Sequence, residues 1–171
     1  MPNIDVRKVS CRKEQDDFIN IPKYIYKGCM QWVPDLDRDA RMLFDRRSNS
    51  ESEFCHIQPF VAYRNEVPLG RIVGIVNHRA NERWQQRVVS FGQIEFIDDP
   101  DVSRALIETV ERWGRTFGMD TLHGPMGVTD FDKEGMLIDD FHLTGTMSTI
   151  YNHDYYPRHM EALGFRKEVD W

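Results

Sequence analysis

Several things are scarce in this chain of 171 residues. No apolar run approaches the ~20 residues that a membrane-spanning helix needs. The N-terminal MPNIDVRKVSCRKEQ holds no apolar stretch of the secretory kind. There are three cysteines, Cys11, Cys29 and Cys55. The count is odd and lacks CxxC spacing, which points to free thiols in a reducing compartment. Net positive charge is missing as well. The balance is −6, whereas a nucleic-acid groove needs clustered Lys and Arg. There is no GxSxG and no Walker loop, and His123, His142, His153 and His159 show no metal-ligand spacing. Asp130–Gly135 copies the first half of an EF-hand loop, but Phe141 stands at the twelfth position, where Glu is needed. The resulting expectation is a cytoplasmic protein without metal, nucleic-acid partner or transmembrane segment, with peripheral membrane contact left open.

What is present suffices for a single domain. A chain of this size buries roughly 70 % of its unfolded surface without staples. Ile4–Val9 reads as a strand. Phe18, Ile21 and Ile25 lie at helical spacing, but Pro22 interrupts them, so two short helices or a kinked one are expected before Gly28. Trp32-Val33-Pro34 reads as an extended apolar anchor and Asp35–Asp45 as a short helix, followed by a polar loop over Arg46–Phe54. Phe60–Tyr63 and Gly70–Asn77 form a hairpin, in which Gly70 and Gly74 signal a bulge or close backbone approach. His78–Arg87 is a loop or short helix. Val88–Ile97 alternates, with Val89, Phe91, Gln93, Glu95 and Ile97 on one face and Ser90, Gly92, Ile94 and Phe96 on the other. The clearest helix is Pro100–Phe117. Asp99 is its N-cap, Gly118 its stop, and Val102, Ala105, Leu106, Thr109, Val110, Trp113 and Phe117 form its inner stripe. Thr121–Gly124 then pairs in parallel with Val88–Ile97 across that helix.

The stretch Thr121–Phe165 is the densest in glycine, acids, histidine and tyrosine. Its strand breaks at Gly124-Pro125 into a long polar loop, and loops of that length are usually functional. Thr146–Tyr151 is expected as a strand, Tyr155–Leu163 as a helix closed by Gly164, and Phe165–Trp171 as a last strand. The class is α/β (α+β), with a mixed central sheet flanked by helices.

That order is the layout of the Gcn5-related N-acetyltransferase fold. GRIVGIVNHRANE (Gly70–Glu82), FGQIEFIDD (Phe91–Asp99), HGPMGVTDFDKEGMLIDDF (His123–Phe141) and TMSTIYNHDYYPRHMEALGFRKEVDW (Thr146–Trp171) resemble the YghO-like branch of that superfamily over nearly the whole chain. Members of that branch are typically longer. The resemblance therefore implies either a short member or one acyltransferase-like half, with a second half or a second copy as partner. It also implies transfer of an acyl group from acyl-CoA or acetyl-CoA to a small-molecule or lipid amine, of which a sphingoid-type long-chain amine is one class.

In such enzymes the acyl-pantetheine lies between two splayed parallel strands, here Val88–Ile97 and Thr121–Gly124. Backbone N–H groups around Ile94, Phe96 and Ile97 would then polarise the thioester carbonyl. Glu95, an acid within an apolar strand, is the candidate general base; the alternative is a structural acid paired with an arginine. Tyr155 and Tyr156 are the candidate acids, with Tyr151 nearby, against a packing role for each. Ser103 and Asn152 are assigned to the donor, and His123, Met126 and Asp130 to the acceptor. The pyrophosphate loop of the superfamily, Arg/Gln-x-x-Gly-x-Gly/Ala, falls on Asp98-Asp99-Pro100-Asp101-Val102-Ser103. Only Ser103 fits there, and three carboxylates repel phosphate. Met160 stands where the superfamily often has its acid tyrosine, and Asn152 lies near, but not at, the usual Asn spacing.

Overall fold

The computed structural model describes residues 3–45, 53–129, 131–146 and 149–170. The elements run β1 (Asp5–Lys8), α1 (Arg12–Ile25), α2 (Asp37–Met42), β2 (Cys55–Arg64), β3 (Val67–Asn77), α3 (His78–Trp84), β4 (Val88–Phe96), α4 (Pro100–Arg115), β5 (Thr121–His123) and α5 (Tyr155–Ala162). The strands lie in sequence order in one sheet. All neighbours are antiparallel except β4 and β5, which α4 links in parallel.

Alternation along β2 and β3 divides the core. Phe60, Ala62, Ile72 and Val76 face α4, while Val61, Tyr63, Val73 and Ile75 face α1. Asn65 and Glu66 turn the hairpin with φ of 50° and 63°, the paired left-handed geometry that suits the twist of two strands. The Glu66 carboxylate is gripped by Arg7 of β1. Helix α4 presses close to the sheet where glycine allows it. A Cβ on Gly74 would stand 2.9 Å from the Trp113 ring, and one on Gly70 would stand 3.0 Å from the Leu106 and Val102 side chains. Ser103, Ile107 and Gly114 are buried on α4 beside the expected stripe.

Four expectations need correction. Helix α1 is unbroken, because Pro22 sits in its last turn. Proline there supplies no N–H to the carbonyl four residues earlier, Phe18. Arg71 Nη1 donates to that oxygen instead, at 3.1 Å. Secondly, strict alternation fails in β4. Arg71 pairs with Glu95 but Val73 with Gly92, so β4 carries one extra residue, and Gln93 has φ of +46°. Val89 and Phe91 before this bulge and Ile94 and Phe96 after it all enter the α4-side core, and Glu95 lies on the α1 side. Thirdly, no strand forms among the described residues of Thr146–Tyr151 or Phe165–Trp171. Finally, Val33 is exposed, and only Trp32 anchors its segment, stacking on Tyr26 at 5.0 Å. Most of the polar loop expected at Arg46–Phe54 lies outside the described residues.

The α4–β4 contact is testable. A Cβ on Gly114 would meet Val89 Cγ1 at 2.5 Å. Gly114→Ala should lower stability by about 1–3 kcal/mol in urea unfolding, and adding Val89→Ala should recover part of that loss.

Candidate active site

Strands β4 and β5 pair only from Val88–Thr121 to Ser90–His123. Beyond that point β5 turns away at Gly124-Pro125 while β4 continues to Phe96. The loop stays tethered, as Met126 N–H donates to the Phe91 carbonyl. A Cβ on Gly92 would meet the Met126 carbonyl oxygen at 2.3 Å, so only glycine fits beside the loop. The loop therefore packs against β4 at Phe91 and Gly92, and β5 pairs with β4 no farther than Ser90. Glu95 lies just past the bulge.

Two phenols converge on this carboxylate. Tyr26, just after α1, donates to Glu95 Oε2 at 2.6 Å, and Tyr156, in α5, donates to the same oxygen at 2.7 Å. The two phenolic oxygens are 3.2 Å apart. Burial raises the Glu95 carboxyl above the ordinary carboxylate range. Arg71 and the two phenol hydrogen bonds pull the other way without cancelling the effect. Burial also pushes both phenols upward, more so beside an acid. Arg71, across the strand from Glu95, is pulled down by burial and supported by the Glu95 charge.

On the α1 side Glu95 and Arg71 line a cavity of about 360 Å³, with both phenols buried behind the carboxyl. Its apolar wall includes Ile19, Leu43, Ile57, Val73, Ile75 and Val128, and its polar end is Arg71, Gln93 and Glu95. At the rim Lys23 pairs with Asp37 at 2.6 Å and Lys133 with Asp35 at 3.0 Å. A second cavity, of about 290 Å³, lies between the start of α4 and α5, lined by Asp98, Ser103, Arg104, Arg158 and His159 among others.

The expected site residues divide into those brought together and those elsewhere. Glu95 and Tyr156 are joined. Tyr155 donates to the Phe96 carbonyl at 2.6 Å, one residue from the centre. Ile94 is a core side chain. The amides of Phe96 and Ile97 are already engaged, the first donating to the Tyr156 hydroxyl and the second to the Leu69 carbonyl. A thioester therefore finds neither of them free. Asn152 is a clamp on the long loop: its side chain accepts from Leu137 N–H and donates to the Leu137 carbonyl. Met126 lines the first cavity. His123 lies exposed against Glu168, and Asp130 falls outside the described residues. Tyr26 and Arg71 were missed. Arg71 had left a signal, a single cation inside the β-branched run RIVGIVN.

Ser103 Oγ, His159 and Asp98 form a chain, with 2.8 Å at each link. The order resembles a nucleophilic triad, but Ser103 is only 1 % exposed, so it braces α5 against α4. Asp99 accepts from Asp101 N–H and from Arg64 at 2.8 Å. Asp98 and Asp99 are therefore closely partnered, Asp101 meets only Arg104 at 3.9 Å, and the amides expected to cradle phosphate are partly consumed.

No protein-family model matches the chain. Solved structures do. An aminoglycoside N-acetyltransferase, AAC(6')-Iy, solved with CoA, superposes at TM-score 0.59 with 13 % identity, covering 100 % of this chain and 93 % of that one. A GNAT-family structure from Desulfovibrio desulfuricans gives 0.58 with 13 % identity, covering 97 % and 87 %. The mixed sheet and its helices are therefore the fold of the GNAT acyl-CoA N-acyltransferases. Within that fold the sequence is YghO-like. It is 27 % identical to Protein YghO of Escherichia coli strain K12 over 167 residues, 96 % of this chain. The chain spans 42 % of that relative's length.

The buried carboxyl has a consequence for stability. Glu95 titrates higher in the folded chain than in the unfolded one, where a glutamate sits at about 4.3. The folded state thus holds more protons, and stability falls as pH rises from the unfolded value through the folded one. Glu95→Gln, which still accepts from both phenols, should melt higher than the parent at pH 8. The gap should close as pH is lowered toward 4, as followed by thermal circular dichroism.

Proposed function

We propose that this chain is an N-acyltransferase that moves an acyl group from a CoA-type thioester to an amine held in the α1-side cavity. The observation that carries this reading is the Glu95 carboxyl, raised by burial, at the polar end of that cavity and beside the open edge of β4. Glu95 takes a proton from the ammonium, and the freed amine attacks the thioester carbon. The C–N bond forms and the C–S bond breaks. The leaving thiolate takes the proton that Glu95 holds at the cavity wall, and Tyr156, 1 % exposed, holds that carboxyl across their 2.7 Å bond. The second nitrogen proton passes to solvent. Tyr155, bound to the Phe96 carbonyl, is assigned to position Tyr156 beside it.

The donor's phosphates suit the second cavity. Its cations are side chains, Arg104 and Arg158, in place of the amide cradle that Asp99 and Pro100 remove. The apolar wall of the first cavity also suits a long-chain amine of the sphingoid type as acceptor.

Calorimetric titration with acetyl-CoA and a long-chain acyl-CoA should give saturable binding. Weakening by about tenfold is expected in the double variant Arg104→Ala/Arg158→Ala. Absence of binding by folded protein would overturn the reading. In a thiol-release assay kcat/KM should rise with pH along a limb set by Glu95. Glu95→Gln should abolish that limb and lower kcat by on the order of 10²-fold or more.

A further inference from the structure

Arg71 is 7 % exposed and has no carboxylate within 4.0 Å among the described residues. One nitrogen, Nη1, donates to the Phe18 carbonyl, and the guanidinium lies over the Phe18 ring at 4.7 Å. Its Nε is buried without a hydrogen-bond partner. Buried guanidinium groups are normally paired, because an unpaired charge in a low-dielectric site is costly.

The rest of the lining balances. Lys23 and Lys133 each have an aspartate. Asp132 accepts from the N–H groups of Val128 and Thr129, and Asp39 pairs with Arg38. Glu95 holds two phenols. Among the described lining residues, Arg71 is therefore the cation without a close ion pair, since the Glu95 and Asp35 charges support it only from beyond 4.0 Å. It lies on the same face of the sheet as Glu95, directly across the strand pair, where opposed side chains start about 5 Å apart.

We infer that the acceptor is an apolar α-amino acid, its carboxylate bound by Arg71, its amine presented to Glu95 and its side chain lying on the wall formed by Val73, Ile75 and Ile57. This rests on the cavity being the acceptor site. A carboxylate one carbon from the amine lets one small molecule face both groups across the strand pair. A guanidinium fork recognises a carboxylate through paired hydrogen bonds. A plain amine would leave Arg71 Nε without a hydrogen-bonded anion, so the site discriminates against it.

The test compares L-phenylalanine with phenethylamine, and sphinganine as the long-chain amine. Binding is read by calorimetry, independently of turnover, and transfer from a long-chain acyl-CoA is read by thiol release. L-Phenylalanine should bind saturably and be preferred over phenethylamine by about tenfold to a hundredfold. Arg71→Met should weaken L-phenylalanine binding about tenfold or more beyond its effect on phenethylamine, and so remove that preference. Arg71→Lys, a second variant that keeps the charge but not the fork, should retain part of the preference. Circular dichroism verifies that each variant folds. The inference is overturned if the folded parent shows no saturable L-phenylalanine binding, or prefers phenethylamine or sphinganine. It is equally overturned if Arg71→Met weakens all acceptors alike, since Arg71 then serves only the Phe18 carbonyl. Amino-acid binding without acyl transfer to any acceptor would sink the acyltransferase reading while the carboxylate site stands.

Discussion

The extra residue in β4 decides which side of the sheet Glu95 faces. Along a regular strand, the apolar residues before and after Gly92-Gln93 would lie on opposite faces, and half of them would leave the core. The bulge returns Ile94 and Phe96 to the α4 side and turns Glu95 toward α1. It requires a left-handed backbone at Gln93, at a cost of about 1 kcal/mol. Burial of Phe91, Ile94 and Phe96 beneath α4 and α5 offsets that cost. The position of the acid follows from this one irregularity.

A second dependence runs through Pro22. The proline leaves the Phe18 carbonyl without its helical donor, and that orphaned oxygen sits over the sheet where Arg71 can reach it. A helix end, a strand and a cavity wall are thereby fixed together by one guanidinium. Tyr26, at the close of the same helix, reaches Glu95 from the same side. The last turn of α1 therefore positions both charged groups of the cavity, and Tyr156 ties them to α5. Each member of this network comes from a different part of the chain, which explains why a buried acid and a buried cation are tolerated so close together.

The donor side departs from the amide cradle of the fold. Asp99 caps α4 with its own carboxylate and Pro100 offers no N–H, so the anion site at the helix start is spent on the helix itself. Asp98 is bound by His159 and Asp99 by Arg64, which removes much of the repulsion that three acids in a row suggest on paper. Their partners lie 61 and 35 residues away in the chain, beyond any local reading.

The sequence by itself determined the order of elements, the parallel return through α4, the caps of that helix and the candidacy of Glu95, because periodicity, capping and a lone acid in an apolar run are local signals. It also pointed to Gly70 and Gly74 as places of close approach. It misjudged α1, the strands expected after Thr146 and the faces of β4. A bulge, a rescued carbonyl and a strand's pairing partner are all settled by contacts between distant segments. Only the tertiary structure brought Tyr26, Tyr156 and Arg71 to Glu95. It also showed that the amides of Phe96 and Ile97 and the side chain of Asn152 were already bonded. Hydrogen-bond partners across 60 or more residues leave no periodic trace in a sequence, since they depend on how the sheet twists and where its helices land.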